Sequence, residues 1–376
     1  MRISIYRHKK VFRVRIKKHI QLPNSITEIA NLFHLANKEL FVVGGAVRDA
    51  VLGKNPKDFD LATNATPDEV ISILNGHFHM LEIGKAFGVV AAITEDFPTG
   101  VEIATFRKDI GKGRRPESVE FTTIEGDVQR RDLTINALFY DINTHEIVDL
   151  VGGLSDITYK IIRTVGSPHE RFSEDPLRKL RAVRFMIKLG FTMEDELFNS
   201  LMDDNSLTGV SSERIRNEFM NTVLSDFRDG ESIQAFCEFD FFPQIFPGLK
   251  VTPMTQFSQN FPVLLANLLQ DNDWDLTEKT LNKLNWSTEE IRETAFLLSL
   301  EYFSNASVFD WWKRKKSINM PDETIREFWK NPVADSFLSF DCVTNGQDLI
   351  ARGFKGAEIA TEMRRIEAER FETHLA

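Results

Sequence analysis

The sequence predicts an α+β protein, with a head of short strands and helices followed by a purely helical remainder. Strand-like runs alternate with capped helical segments across residues 22–165. Gly-Gly pairs at 44–45 and 152–153 interrupt those runs, and from about residue 190 the apolar spacing is helical to the end. At 376 residues and 42% hydrophobic content the chain is long enough for two to four domains.

Residues 1–20 contain no acid. Residues 11–17 partly alternate apolar and basic side chains, which fits a short exposed strand. It reads either as a phosphate-contacting arm or as an edge strand protected by its charges. Residues 24–37 read as a helix capped by Asn24 or Ser25, with Ile26, Ile29, Leu32 and Phe33 on one face.

Phe41-Val42-Val43 reads as a buried strand. Gly44 and Gly45 end it, and with no Cβ they let the backbone approach a ligand closely. A short helix over 46–52 stops at Gly53. Lys57-Asp58-Phe59-Asp60-Leu61 then reads as a strand, with Asp58 and Asp60 on one face and Phe59 in the core. Paired carboxylates repel one another, and a hard divalent cation with oxygen ligands removes that repulsion. The stretch therefore points to a metal–nucleotide site; its structural alternative is a turn and an edge strand with solvated acids.

Thr66 and Pro67 open a helix that buries Val70, Ile71 and Leu74. Strand candidates follow at 79–83, 89–93 and 101–106. Glu102, inside the last, is either a third carboxylate at the metal site or a solvent-facing residue. Residues 107–118 read as an irregular, flexible basic loop, a candidate phosphate or substrate lid carrying Arg107, Asp109, Arg114 and Arg115. Arg130-Arg131-Asp132 precedes an expected helix with Leu133, Ala137 and Leu138 on its apolar side and Asp132 as its cap. Arg131 would then sit where free backbone N–H groups already favour an anion. A turn, the break at 152–153 and a strand at 161–165 complete the first part.

Pro176 fits the first turn of a helix in which Asp175, Arg178, Arg181 and Arg184 fall at successive i,i+3 steps. Three arginines with one acid suit a nucleotide and its triphosphate better than a run of surface ion pairs. Residues 211–219 look like one capped helix. Residues 310–316, DWWKRKK, are either an RNA-contacting cluster or two core tryptophans with a solvated basic face.

Net charge is −10 but uneven: residues 1–190 carry 28 basic against 24 acidic side chains, and residues 191–376 carry 18 against 32. A polyanion site is therefore expected mostly in the first half. No apolar run approaches a membrane span, so no membrane partner is expected. The N-terminus lacks the apolar stretch of a secretory signal, and Cys237 and Cys342 match neither a zinc nor a redox spacing. A reducing, cytoplasmic setting follows as an expectation. No His-Asp metal cluster stands in the C-terminal half, which argues against an appended phosphohydrolase.

GGAVRD with KDFD at its spacing, RRDLTINAL, EDPLRKLRAVRF and ERIRNEF occur here in one order. Together they resemble the class II tRNA nucleotidyltransferases, that is, the CCA-adding enzymes and their bacterial poly(A) polymerase relatives. NGQDLIARGFKG looks like a tail signature of the same family. The resemblance implies a polymerase-β-like nucleotidyltransferase head at 22–165 behind a basic extension at 1–21. It implies a helical neck at 166–225, a body at 226–310 and a tail at 311–376 that docks tRNA. It makes Asp58 and Asp60 ligands of Mg²⁺, and Gly44, Gly45, Arg48, Arg131, Asp132 and Asn136 contacts to the incoming nucleotide. Asp175 and Arg178 become the base-selecting pair, with Arg181 and Arg184 nearby. The basic loop matches a flexible element associated with the final A addition.

The implied chemistry is CCA addition to the tRNA 3′ end from CTP and ATP, by in-line displacement of pyrophosphate at a two-metal site with ions about 3.5–4 Å apart. C and A each present an exocyclic amine beside an unprotonated ring nitrogen, so a carboxylate acceptor and a guanidinium donor select both. A poly(A) polymerase, a partial CC- or A-adding enzyme and a non-catalytic RNA-binding protein are the alternatives.

Overall fold

The computed structural model describes residues 14–82, 84–111, 118–228, 230–252 and 257–375. The start of the basic arm, the end of the 79–83 strand and the loop residues Arg114 and Arg115 lie outside them. The chain divides into two compact units, Met1–Val210 and Ser211–Ala376.

The first unit is built on an eight-stranded sheet. In chain order its elements are β1 (Val14–Lys17), α1 (Asn24–Leu35), β2 (Leu40–Val43), α2 (Gly45–Val51), β3 (Asp60–Thr63), α3 (Pro67–Leu74), β4 (His79–Leu81), β5 (Val89–Ile93) and β6 (Val101–Thr105). Next come β7 (Arg107–Ile110), β8 (Ser118–Phe121), α4 (Ile124–Gln129), β9 (Leu138–Asp141), β10 (Glu146–Asp149), α5 (Gly153–Tyr159) and β11 (Ile161–Ile162). Finally α6 (Pro168–Glu174), α7 (Leu177–Leu189), β12 (Thr192–Met193) and α8 (Asp195–Asp203) form its helical end. The sheet order is β1-β10-β9-β2-β3-β6-β5-β4. Every neighbouring pair in it is antiparallel except β3 and β6, which run parallel with Leu61 opposite Ile103.

β2 is buried along its whole length, as an apolar run flanked by strands on both sides should be. Phe41, Val43, Ala62, Phe106, Phe139 and Val148 pack into one core cluster on the sheet. Thr66 caps α3 with a full capping box: Glu69 N–H bonds the Thr66 hydroxyl, and Thr66 N–H bonds the Glu69 carboxylate. The described part of the basic arm is the sheet's edge strand β1, tied to β10 by Arg15 and Glu146 at 3.0 Å.

Four expectations are corrected. The strand with the acidic pair begins only at Asp60, because β2 pairs no further than Val43 and Gly44 then turns the chain away, leaving 57–59 without a partner. Alternation nevertheless holds: Phe59 is buried between exposed Asp58 and Asp60. The basic stretch after β6 is not irregular where it is described, since β7 pairs antiparallel with β8, Arg107 opposite Phe121 and Ile110 opposite Ser118. The expected helix after Asp132 is a single 3-10 turn, Thr134–Asn136, followed by β9, whose fully buried Leu138-Phe139-Tyr140 is claimed by pairing to β2 and β10. Asp132 does not cap that turn either: the N-cap is Leu133, with no side-chain cap hydrogen bond, and Asp132 accepts instead from the adjacent Leu133 N–H, at 2.7 Å, and from Arg181. Lastly, Asp175 is not on the arginine helix: α6 ends at Glu174 and α7 starts at Leu177.

The second unit is helical throughout its described residues, opening with Ser212–Leu224 behind Ser211 as expected. Aromatic packing dominates it. Phe219 meets Phe236, Phe246 and Trp286. Phe303 meets Trp311, Trp329, Phe337 and Phe371. Trp311 and Trp312 both pack against this second cluster, so the core reading holds for the two indoles. Lys313 and Lys316 on the same helix face solvent. No helix among the described residues is long and apolar enough to cross a membrane.

Candidate active site

Four segments of the first unit surround a cavity of about 640 Å³. The turn from β2 into α2 contributes Gly45, Ala46, Arg48 and Asp49, and the approach to β3 contributes Lys54, Asn55, Lys57, Asp58 and Asp60. The stretch after α4 adds Arg131, Asp132 and Asn136, and α7 adds Arg181, Arg184, Phe185 and Lys188.

Gly44 makes the entry turn possible. Its φ of 73° with ψ of −129° is a conformation open to glycine alone. A Cβ there would find space, with Asn136 O at 3.8 Å and Arg131 Nη1 at 3.9 Å, so the constraint is backbone strain rather than crowding. Gly44→Ala is therefore expected to cost about 1–3 kcal/mol of stability, read as a lower denaturant midpoint.

The acidic side of the cavity holds Asp58 and Asp60, whose outer surfaces meet solvent while protein atoms crowd the Asp60 carboxyl. Burial among protein atoms pushes the Asp60 carboxyl above its ordinary range. Glu102 and Asp58 add to the rise by repulsion, and Arg131 opposes it. The β3–β6 register places Glu102 beside Asp60, one step before Leu61 and Ile103. Glu102 is exposed and stands outside the cavity lining, and it acts on Asp60 from the neighbouring strand. Among the described residues, no group of three or more His, Cys, Asp or Glu side chains could hold a metal ion by itself. The residues present fit Mg²⁺ all the same, because that ion is ordinarily held by one or two carboxylates together with substrate phosphates.

The basic side is held by carboxylates behind it. Arg48, only 3% exposed, bonds Asp49 through Nε at 2.8 Å and Asn136 Oδ1 through Nη1 at 2.5 Å. The amide of Asn136 is then fixed, and its Nδ2 is buried with no hydrogen-bond partner among the described residues. That donor is part of the cavity wall and is chemically suited to an oxygen of a ligand. Arg131 stacks on Phe139 at 4.7 Å and bonds the buried Asp127 at 2.9 Å. Arg181 bonds Asp132 at 2.7 Å. Asp132 pays for burial with strong partners: the Arg181 charge and hydrogen bond, the Leu133 N–H and the Arg178 charge bring its carboxyl down to about 2. Burial lowers the basicity of Lys188, and the nearby Arg48 charge lowers it further.

Most of the expected site residues thus meet in one place: Gly45, Arg48, Asp58, Asp60, Arg131, Asp132, Asn136, Arg181 and Arg184. Asp175 and Arg178 lie outside the lining. Asp175 accepts from Leu177 N–H at 3.3 Å, while Arg178 bonds Glu174 at 2.6 Å and the Arg130 carbonyl at 2.8 Å. Arg107 and Asp109 bond each other at 2.9 Å at the base of the β7–β8 hairpin, away from the cavity. Sequence reasoning missed Asp49, Lys54, Asn55, Lys57, Phe185 and Lys188 in the wall, and Asp127 behind it. Asp127 was readable, three and four residues before Arg130 and Arg131 on one helical turn.

Residues 40–163 match the Poly A polymerase head domain. The chain is 37% identical over 247 residues to the CCA-adding enzyme of Bacillus pumilus, covering 65% of this chain and 60% of that one. It is 34% identical over 226 residues to Poly(A) polymerase I of Escherichia coli, covering 56% and 47%. The matches thus span about half the length of these curated relatives. The crystal structure of the Bacillus stearothermophilus CCA-adding enzyme in complex with CTP shares the fold, with a TM-score of 0.69 at 23% identity over 93% of this chain and 92% of that one. The head of this chain is thus similar to that of the poly(A) polymerase family, and its curated relatives include CCA-adding enzymes and a bacterial poly(A) polymerase.

Proposed function

We propose that the protein is a template-independent RNA nucleotidyltransferase that adds CCA to the 3′ end of tRNA from CTP and ATP. The observation that carries this reading is the cavity itself, where Asp58 and Asp60 face Arg48, Arg131, Arg181 and Arg184. Carboxylates for a divalent cation and guanidinium groups for a triphosphate are the two things that phosphoryl transfer asks of a protein.

Asp58 and Asp60 would hold Mg²⁺, which when bound supplies Lewis-acid activation of the RNA 3′-hydroxyl and charge relief for the pyrophosphate. Glu102 would bias Asp60 toward cation binding through the repulsion between them. Arg48, Arg131, Arg181 and Arg184 would take the triphosphate, Gly44 and Gly45 would let it approach the backbone, and Asn136 Nδ2 would donate to a sugar or phosphate oxygen. Asp132 would keep Arg181 in place. The hairpin carrying Arg107 and Asp109, with Arg114 and Arg115 beyond its described arms, would act as the flexible element. Residues 22–165 would then be the catalytic head, 166–225 the base-selecting neck, and 226–310 and 311–376 the body and the tRNA-docking tail, behind the 1–21 extension. The enzyme would work in the cytoplasm.

Asp175 and Arg178 would select the base, the carboxylate accepting from the exocyclic amine of C or A and the guanidinium donating to the ring nitrogen. This requires Arg178 to exchange its bond to Glu174 for the base. A second reading, poly(A) synthesis, is favoured by the likeness to the Escherichia coli polymerase.

One assay separates the readings: extension of tRNA ending at the discriminator base, with each nucleotide alone and in pairs. CCA addition gives two additions from CTP and one further from ATP. A long run of A from ATP alone establishes the second reading, and no extension with any nucleotide refutes both. In the same assay Asp175→Ala is expected to let UTP and GTP compete, a loss of about 1–3 kcal/mol of discrimination. Unchanged selectivity would remove Asp175 from the selecting pair.

A further inference from the structure

We infer that Phe185 is the positioning residue of the triphosphate pocket, its ring gathering three guanidinium groups without neutralising them. The inference rests on the nucleotide-binding reading of the cavity and deepens it. Phe185 lines the cavity wall from α7 and is 5% exposed. The guanidinium carbons of Arg184, Arg48 and Arg181 stand 4.4, 5.0 and 5.8 Å from its ring centroid. All three are inside the reach of cation–π attraction.

The physical problem at this wall is crowding of like charge. Arg48, Arg181, Arg184 and Lys188 share one side of the cavity, and the lowered basicity of Lys188 has Arg48 and Arg184 among its causes. A carboxylate would hold such a cluster together, but it would also cancel charge that a triphosphate needs. Asp49 and Asp132 already do this for Arg48 and Arg181 from one side. A phenyl ring attracts cations through its quadrupole while carrying no net charge. Phe185 therefore orders the cluster and leaves its field intact. A leucine of similar bulk would keep the packing of α7 and lose the attraction.

Two consequences distinguish this role from packing. The contribution falls on the triphosphate, which CTP and ATP share, so it is equal for the two nucleotides. It also follows the electron density of the ring rather than its shape. The test uses the full chain and reads equilibrium binding of CTP and ATP beside KM and kcat for tRNA extension. Phe185→Leu is expected to raise KM and Kd for both nucleotides by about tenfold, with kcat within about twofold. Replacing Phe185 with mono-, di- and trifluorophenylalanine, which keeps its shape, is expected to weaken binding stepwise. Wild-type affinity in the trifluoro protein would overturn the inference whether or not Phe185→Leu folds, and so would unequal factors for CTP and ATP. If the unaltered protein binds neither nucleotide, the nucleotide-binding reading itself fails. If it binds both and fluorination changes nothing, only the role of Phe185 fails.

Discussion

Asp60→Asn is expected to abolish nucleotide addition, by at least about a thousand-fold in kcat, while leaving the fold intact and tRNA binding within about twofold of the wild type. The unusual half of this result is stability. Asp60 stands beside Asp58 and Glu102, and its carboxyl is pushed up by burial and by both neighbours. A neutral amide of the same shape removes that repulsion, so the melting temperature of the variant should equal or exceed that of the wild type. Loss of activity together with loss of stability would mean that the acids serve the fold. Retained turnover would remove the pair from the chemistry altogether. Asp58→Asn should behave alike in turnover, since the two side chains face the same cavity.

Asp127→Ala carries the largest expected loss of stability. Its carboxylate is 1% exposed and accepts from Arg130 at 2.8 Å, from Arg131 at 2.9 and 3.1 Å, and from the Arg107 N–H at 3.3 Å. Removing it leaves the largely buried Arg131 without this counter-ion and Arg130 with only the longer contact to Asp109 at 3.9 Å, a change worth about 3–5 kcal/mol. Thermal unfolding should fall by about 6–15 °C. Nucleotide affinity should fall with it, because Arg131 loses its anchor. The same clamp sets a pH dependence. The folded-state pKa of Asp127 lies below its ordinary value through the charges of Arg131 and Arg130, which outweigh burial. That of Asp132 is lowered to about 2. A lowered pKa contributes stability that is complete above the unfolded value and is lost as pH falls through the folded one. Stability should therefore decline between about pH 4 and pH 2, with Asp132 alone accounting for about 2 kcal/mol. Melting temperature against pH checks this, and the Asp127→Ala protein should show a shallower acid decline than the wild type.

What the sequence revealed was governed by local chemistry. Gly44 had to be a glycine, Thr66 had to cap, and Phe59 between two acids had to point inward; each was legible because its cause lies within a few residues. β9 was misread because Leu133, Ala137 and Leu138 fall at helical spacing, while the strand is buried on both faces and shows no alternation. The β7–β8 hairpin was missed because its pairing depends on partners about ten residues apart, and basic and glycine-rich composition hides strand propensity. Asp175 was put on the helix because Pro176 could as well open it as precede it, and one residue decides which. The site residues split along the same line. Asp58, Asp60 and the arginines announced themselves by charge pattern. Phe185 looked like any apolar residue of an amphipathic helix until the fold brought Arg48 to its ring.

The order of strands also bears on how the head is made. Val14 pairs with Asp149, so the two ends of one sheet edge are separated by most of the head's length. During synthesis the first strand leaves the ribosome long before the hairpin it must join exists. Until β10 emerges, β1 has no strand to pair with, and the cationic charge of Arg15 and Lys17 keeps it from adding to a neighbouring polypeptide.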